Sequence, residues 1–276
     1  MARKPAFADV FYPADAKALG GLVSGFMRKA STGWKGIGAA VSVVAPHAGY
    51  VYSGQVAAYS YKALAESHRE RKFDSLIMIG PNHTGHGEPI AVSLRDWETP
   101  LGVVRNDIEL SRKIIDHSDR IFEDEAAHAG EHSVEVQLPF VQGALGGIAC
   151  VFICMGDQSK GSGESLCKAI LSATKGLKRN AAVVASSDFD HYEPASVAKG
   201  KDMPAIEALE KLDADGFRGL LSSSGDTACG YGPISVAARF ARERGAKGGR
   251  LLKYASSGDV TGDYASVVAY ASLAFV

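Results

Sequence analysis

Apolar residues along this chain follow two alternating patterns, which predict strands and helices in turn. Short uninterrupted apolar runs are typical of buried strands, and they occur at residues 39–45, 75–80, 89–94, 148–154, 181–186, 250–256 and 264–272. Apolar residues spaced three and four apart predict amphipathic helices, here at residues 54–66, 107–117, 132–145, 163–174, 203–211 and 232–244. This alternation predicts an α/β fold whose central mixed sheet is largely parallel.

The order of the elements predicts one three-layer domain over residues 1–276, since no repeat and no long linker divides the chain. The segment 89–104, with prolines near both ends, predicts an antiparallel excursion from the parallel strands. Stretches rich in Gly, Ser and Lys at 33–38 and 160–165 predict surface loops.

Charge and composition narrow the classes of function. With 30 Lys+Arg against 31 Asp+Glu, the formal net charge is -1. Such a balance produces no field that attracts polyanions, so nucleic acid and anionic membranes are not expected as partners. No window approaches the roughly 20 apolar residues of a membrane span. The amino-terminal MARKPAFADVFYP lacks the apolar core of a signal peptide, so a cytoplasmic protein is expected.

Four histidines stand where apolar runs end or helices begin. His47 follows the first strand in VVAPHAGY, His83 follows the next in MIGPNH, His191 follows another in SSDFDH, and His132 opens a helical run in EHSVE. Because the carboxyl ends of parallel strands are where α/β proteins bind ligands, these side chains are expected in one shared pocket. Imidazole is the commonest metal ligand, so the pocket is expected to hold a metal ion.

The four cysteines separate into two groups. Cys150 and Cys154 lie in a strand-like run and Cys167 on an amphipathic helix, which predicts buried core thiols. Cys229 instead stands among glycines in SGDTACGYGP, a composition that forms a turn and opens the next helix. It is therefore the one cysteine expected to take part in chemistry.

Carboxylates accompany two of the histidines. Asp188 precedes His191 and is predicted either to orient its imidazole or to bind metal directly. Glu131 and His132 begin a helical run whose apolar face explains the helix but not the charged pair at its start. The pair is expected either in the pocket or as a surface cap.

Five motifs give the chain a specific resemblance. In order they are APHAGYVYSGQVAAYSY, IGPNHTG, EHSVEVQLPF, SSDFDHYEP and DTACGYGPI. With the opening RKPAFADVFYP and the closing YASSGDVTGDYASVVAYASLAF, they cover nearly the whole chain, which resembles the Memo family, also called AmmeMemoRadiSam system protein B.

The resemblance implies a fold similar to that of class III extradiol dioxygenases, in which two histidines and a carboxylate hold Fe(II). Carried over by position, His47 and His83 match the histidine ligands, Cys229 stands at the third ligand, and His191 matches the acid/base histidine. Asp188 then neighbours His191 or is a further ligand. A thiolate in place of the carboxylate makes the site softer, so iron is expected first and copper second.

The resemblance thus implies a metal-dependent oxidoreductase, with Tyr52, Asn82, Glu131 and His132 shaping the substrate pocket. The alternative is a non-catalytic module that binds a peptide or small ligand in the same pocket, because animal relatives are linked to phosphotyrosine-peptide binding. The longer family name also implies radical-SAM and AMMECR1-type protein partners. The chain itself lacks the three-cysteine cluster of a radical-SAM enzyme.

Overall fold

The apolar runs form strands in a computed structural model that describes residues 1–31 and 39–276. The strands are β1 (Ser42–Ala45), β2 (Ser75–Pro81), β3 (Ile90–Ser93), β4 (Trp97–Thr99), β5 (Gly102–Val104), β6 (Phe122–Glu123), β7 (Ala149–Met155), β8 (Ala181–Ser186), β9 (His191–Glu193), β10 (Gly249–Ser256) and β11 (Val267–Phe275). The helices are α1 (Ala16–Lys29), α2 (Tyr50–Arg71), α3 (Ile108–Ile115), α4 (Ala126–Ala129), α5 (Leu138–Leu145), α6 (Lys160–Gly176), α7 (Ala195–Glu210), α8 (Ala214–Ser224), α9 (Tyr231–Glu243) and α10 (Gly258–Thr261). The loop predicted at 33–38 lies outside the described residues.

The central sheet is mixed and largely parallel, which confirms the predicted fold class. Its order is β10-β11-β1-β8-β2-β7-β3-β6, and β9 pairs with β11 off this path. The four inner strands β1, β8, β2 and β7 are parallel, whereas β11 and β3 flank them antiparallel. The predicted excursion after β3 is also present, as the antiparallel hairpin β4–β5.

Helices cover both faces of the sheet. Neighbouring residues of β2 point to opposite faces, as alternation along a strand requires: Ile77 packs in the core layer of α6 and α9, and Leu76 in that of α1, α2 and α5. All four residues 76–79 are 0–1% exposed. Because β2 is buried on both faces, it reads as a continuous apolar run rather than an alternating one.

The segment predicted as a loop at 160–165 is the first part of helix α6, so that prediction is wrong. Ser159 caps the helix by accepting a hydrogen bond from the amide of Ser162. A Cβ at Gly163 would lie 3.8 Å from Val236 of α9, an ordinary contact distance, so this glycine lies on the face of α6 that packs against α9. Glycine and serine here serve helix packing and capping instead of loop flexibility.

The parallel strands bring the candidate residues to one edge. β1, β2 and β8 end just before His47, His83 and Asp188. Cys229 arrives from the turn before α9, the helix that packs against β1 and β8. The other three cysteines are buried, as predicted. Within residues 1–31 and 39–276, no helix combines the length and apolar character needed to cross a membrane.

Candidate metal centre

His47 is buried and its tautomer follows from its neighbours. The side chain is 2% exposed, and Nδ1 lies 2.9 Å from Ser186 Oγ. Ser186 donates its single hydroxyl hydrogen to the Ser133 carbonyl at 2.6 Å and accepts from Gln137 Nε2 at 2.8 Å. Because Ser186 can only accept from His47, Nδ1 carries the imidazole proton and Nε2 keeps its lone pair.

His83 has the same arrangement with a carboxylate in place of the hydroxyl. Its Nδ1 lies 3.0 Å from Glu131 Oε1, and its backbone amide donates to Glu131 Oε2 at 2.6 Å. Burial alone would raise the pKa of Glu131, but hydrogen bonds from the His83 ring and from the amides of Ser133 and His83, together with the electrostatic effect of the His83 ring, lower it to about 2. The ionised carboxylate accepts the Nδ1 proton, which leaves the His83 Nε2 lone pair free.

Cys229 approaches the free nitrogen of His47. Its Sγ lies 3.2 Å from His47 Nε2 and accepts a hydrogen bond from the Asp188 amide at 3.3 Å. Burial, followed by the charge of Asp188, raises the pKa of the Cys229 thiol far above its usual value. Without a cation the sulfur is therefore a thiol, which donates to Nε2 of His47.

The three side chains converge. His47, His83 and Cys229 each offer one ligand atom, and these atoms all lie within 4.8 Å of one another. The His47 and His83 rings are 5.1 Å apart and nearly perpendicular. Burial first, and then the electrostatic effect of the neighbouring His132, His83 and His191 side chains, lowers the pKa of His47 well below its usual value, so its ring is neutral. Neutral imidazole is the form that binds metal.

His132 lies beside these ligands in an aromatic stack. Its ring stacks on His83 at 4.7 Å between centroids and on Phe11 at 4.5 Å, and Phe7 lies 5.4 Å away. Burial lowers the pKa of His132 to about 4. With His83 and Glu131 it forms a second group whose ligand atoms lie within 4.8 Å of one another. The neutral ring and the two phenylalanines, whose own rings meet edge to face at 88°, form an aromatic wall.

Asp188 contacts the backbone of His47. Its Oδ1 accepts from the His47 amide at 2.8 Å, and among the described residues Nδ1 of His191 is buried without a hydrogen-bond partner. The carboxylate therefore anchors the backbone of His47 instead of orienting the His191 ring. Burial raises the pKa of Asp188 to about 7, against the opposing hydrogen bonds from the amides of His47 and Ala48.

His191 is held by its backbone. Its amide donates to Thr227 Oγ1 at 2.8 Å, and both the amide and the hydroxyl of Thr227 donate to Asp190 Oδ1, at 3.0 and 2.9 Å. Asp190 and Thr227 thus join the end of β8 to the turn that carries Cys229. Burial lowers the pKa of His191, so its ring is neutral at neutral pH.

The other two residues predicted to shape the pocket are Tyr52 and Asn82. Tyr52 is on the first turn of α2 and is 40% exposed. The Asn82 side chain accepts from the amides of Thr84 and Gly85 and donates to the His86 carbonyl at 2.7 Å. The polar atoms of Asn82 therefore stabilise the loop of residues 82–86, which contains His83.

Several residues that contribute to the site were not predicted from the sequence. They are Phe7, Phe11, Ser186 and Gln137. Ser186 stands within SSDFDH and the phenylalanines within FADVFYP, so only their nearness to motifs marks them. Gln137 likewise stands within EHSVEVQLPF, but nothing local predicts its contact, because its amide reaches Ser186 only through packing of the turn before α5 against β8.

Behind His191 lies a carboxyl pair. Asp202 is fully buried and accepts from the Asp190 amide and from the Tyr254 hydroxyl, at 3.1 and 2.6 Å. Burial, together with the nearby Asp226 carboxylate, raises the pKa of Asp202 to about 8, and burial also raises that of Asp226. The two carboxyls therefore share a proton at neutral pH.

We expect this shared proton to make stability fall with rising pH. The folded-state pKa of Asp202 lies above the usual 3.8, so folding takes up a proton and stability is lost as pH rises from about 4 to about 8. Asp202→Asn should reduce the decline by on the order of 1–2 kcal/mol, as seen in urea unfolding at pH 5 and pH 8. Glu207→Gln, exposed on the same helix, is the control. An unchanged pH slope in Asp202→Asn would contradict the shared proton.

Comparison with known proteins finds one matching family model and several similar relatives. A family model described as Memo-like protein matches residues 3–274. MEMO1 family proteins of Methanopyrus kandleri and Pyrobaculum aerophilum are 40% and 42% identical over 283 and 280 residues. The matches cover 100% and 99% of this chain and 99% and 98% of the relatives. A MEMO1 family protein of Methanosarcina acetivorans is 38% identical over 98% of both chains.

Proposed function

This chain belongs to the Memo family, and we propose that it is a metal-dependent oxidoreductase whose metal ion is held by His47, His83 and Cys229. The observation that supports this proposal is the convergence of the three ligand atoms within 4.8 Å. Both imidazoles use Nδ1 for hydrogen bonds to Ser186 and Glu131. Two Nε2 lone pairs are therefore left for an ion, as in histidine-ligated metal sites generally.

The donor set fits a borderline or soft transition metal. Thiolate favours Cu(I), Zn and iron, and imidazole suits all three, whereas hard cations prefer oxygen. We propose Fe(II) as the ion, with copper as the alternative. When bound, such an ion supplies one-electron or Lewis-acid chemistry. The sulfur ligand distinguishes the site from the two-histidine, one-carboxylate set.

His191 is the proposed acid/base residue. Burial keeps its ring neutral, so the ring can accept a proton from a substrate and return it, which an acid/base role requires. Asp188 is proposed to act indirectly, by holding the backbone of His47.

Access to the site is from the side of His83. The His83 side chain is 35% exposed, whereas His47 is 2% exposed. The wall of Phe7, Phe11 and His132 borders this opening, and we propose that a substrate lies against it. Of the predicted pocket residues, His132 is placed to contact such a substrate. Glu131 instead orients His83.

The same wall supports a second candidate function, a non-catalytic binding module. A wall of two phenylalanines and a neutral imidazole can contact an aromatic or apolar group of a peptide or small molecule without any chemistry. This alternative does not require a metal ion.

Metal binding by anaerobically purified, tag-free protein tests the two functions. We expect about one equivalent of Fe(II) or Cu(I) in wild type, lost in His47→Ala and kept in His117→Ala, a control on an exposed histidine. Oxygen consumption with candidate diols then tests turnover. Wild-type protein that binds neither ion would refute the metal proposal and favour the binding module.

A further inference from the structure

The amino-terminal segment before α1 is tied to the site by one buried arginine. The Arg3 guanidinium donates to the carbonyls of His128 and Glu131, at 2.9 and 3.1 Å, and to the Glu135 carboxylate at 2.5 Å. It stacks over Trp97 at 4.1 Å, and Arg3 is 8% exposed. The planar fork thus contacts both ends of the short stretch 128–131.

Glu135 completes the connection from the other side. It is 0% exposed and accepts four hydrogen bonds from the segment before α1: from Arg3, from the amides of Ala6 and Phe7, and from the Tyr12 hydroxyl. Every donor comes from residues 3–12, more than 120 positions away in the chain. A buried carboxylate with four donors is rigidly held.

These contacts hold the stretch 128–131, which positions His83 through Glu131. Glu131 is one of the two anchored residues, and its carboxylate accepts hydrogen bonds from both the amide and Nδ1 of His83. The same segment brings Phe7 and Phe11 against His132. A displaced Glu131 would free the His83 ring to rotate, and its Nε2 would no longer point toward His47 and Cys229.

Stability alone is a weak explanation for this buried pair. A buried ion pair contributes little net stability compared with well-packed apolar residues of similar volume. In this pair, however, the arginine also uses its remaining donors on the carbonyls of 128 and 131, which apolar residues would leave unpaired. The planar fork of arginine meets these acceptors in fixed directions, which a lysine ammonium cannot reproduce.

We propose that Arg3 and Glu135 are positioning residues that align His83 for metal binding through Glu131, making the amino-terminal segment part of the metal site. The inference rests on the proposed function for its metal readout. Its other consequence, the ordering of Glu131 and His83, applies to the protein without metal.

Arg3→Lys tests the proposal while keeping the charge opposite Glu135. Lys4→Arg is the matched control, because Lys4 is the next residue, is 76% exposed and pairs with Glu98 at the surface. We expect Arg3→Lys to weaken Co(II) binding about tenfold, the lower end of the effect of outer-shell partners. The thiolate-to-Co(II) absorption band should also shift, whereas Lys4→Arg should match wild type.

A second readout uses metal-free protein. Hydrogen exchange of the amides of His83 and Ser133, both bound to Glu131, should accelerate in Arg3→Lys. Val23→Ala, on the buried face of α1, controls for lost stability. When Arg3→Lys and Val23→Ala are compared at equal thermal stability, the amides of His83 and Ser133 should exchange more slowly in Val23→Ala.

The outcomes separate the two proposals. Wild-type Co(II) affinity and exchange in Arg3→Lys would overturn the positioning role. Equal effects in Arg3→Lys and Val23→Ala would also overturn it, because general destabilisation would then explain the result. Wild-type protein without Co(II) binding would refute the metal proposal, while faster exchange in Arg3→Lys would still support the ordering of Glu131 and His83. If Arg3→Lys does not fold, Glu135→Gln is tested by the same two readouts with the same criteria.

Discussion

Cys229→Ala is expected to lower metal affinity by more than about 100-fold, beyond the 10–100-fold typical of losing an outer-shell partner. The variant removes one of three convergent ligands and the softest one. The two imidazoles remain but cannot by themselves retain a soft ion against competing chelators. Affinity measured anaerobically by competition with a chelator, for Fe(II) and Cu(I) separately, gives the result.

Two further substitutions sharpen this test. Cys167→Ala removes a buried thiol on α6 that takes no part in the site, so its metal affinity should equal that of wild type. Cys229→Asp restores a two-histidine, one-carboxylate donor set, which should favour Fe(II) over Cu(I) because oxygen is the harder ligand. Equal affinity in wild type and Cys229→Ala would refute the assigned ligand set.

Gly230→Ala is expected to disrupt the site without changing any ligand. A Cβ at residue 230 would collide with the Ser186 carbonyl oxygen and would lie 2.6 Å from Ser187 Cβ and 2.8 Å from its Oγ. The Gly230 amide also donates to Ser187 Oγ at 2.8 Å. The start of α9 must therefore move away from β8, and Cys229 with it. We expect the free energy of unfolding to fall by about 1–3 kcal/mol.

A loss of metal affinity is expected in addition to the loss of stability. Because Sγ of Cys229 must lie close to His47 Nε2, where it now stands at 3.2 Å, a shift of α9 should reduce metal affinity about tenfold or more. The control is Gly200→Ala, an exposed helix position where a Cβ would meet nothing within 4 Å. That substitution should raise stability by about 0.5–1 kcal/mol. Wild-type metal affinity in folded Gly230→Ala would show that the close approach does not position Cys229.

Much of the fold could be predicted because its signals are local. Strands buried on both faces, such as β2, appear as continuous apolar runs, and alternation with helices implies parallel strands. Two helical stretches were not predicted as helix, and the cause is again local. Helix α1 contains glycines in LGGLVSG, and the start of α6 contains KGSGES. Both stretches look like breakers until packing and capping residues are considered.

The sequence predicted which residues are candidate ligands, but not which atoms of their side chains are free to bind a metal ion. Parallel strands end at a common edge, so the positions of His47 and His83 after β1 and β2 were enough to place them together. Cys229 was predicted from the glycine-rich composition of its turn and from the Memo resemblance. The proton positions depended on Ser186 and Glu131, whose contacts follow from the packing of separate elements.

The sequence by itself determined an α/β domain with histidines at strand ends, because periodicity and strand polarity are properties of neighbouring residues. The tertiary structure alone decided that Asp188 anchors His47, that Glu131 orients His83, and that Arg3 holds Glu131. Those contacts join residues 48 to 141 positions apart. Their partners are selected by packing in three dimensions, which leaves no periodic trace along the chain.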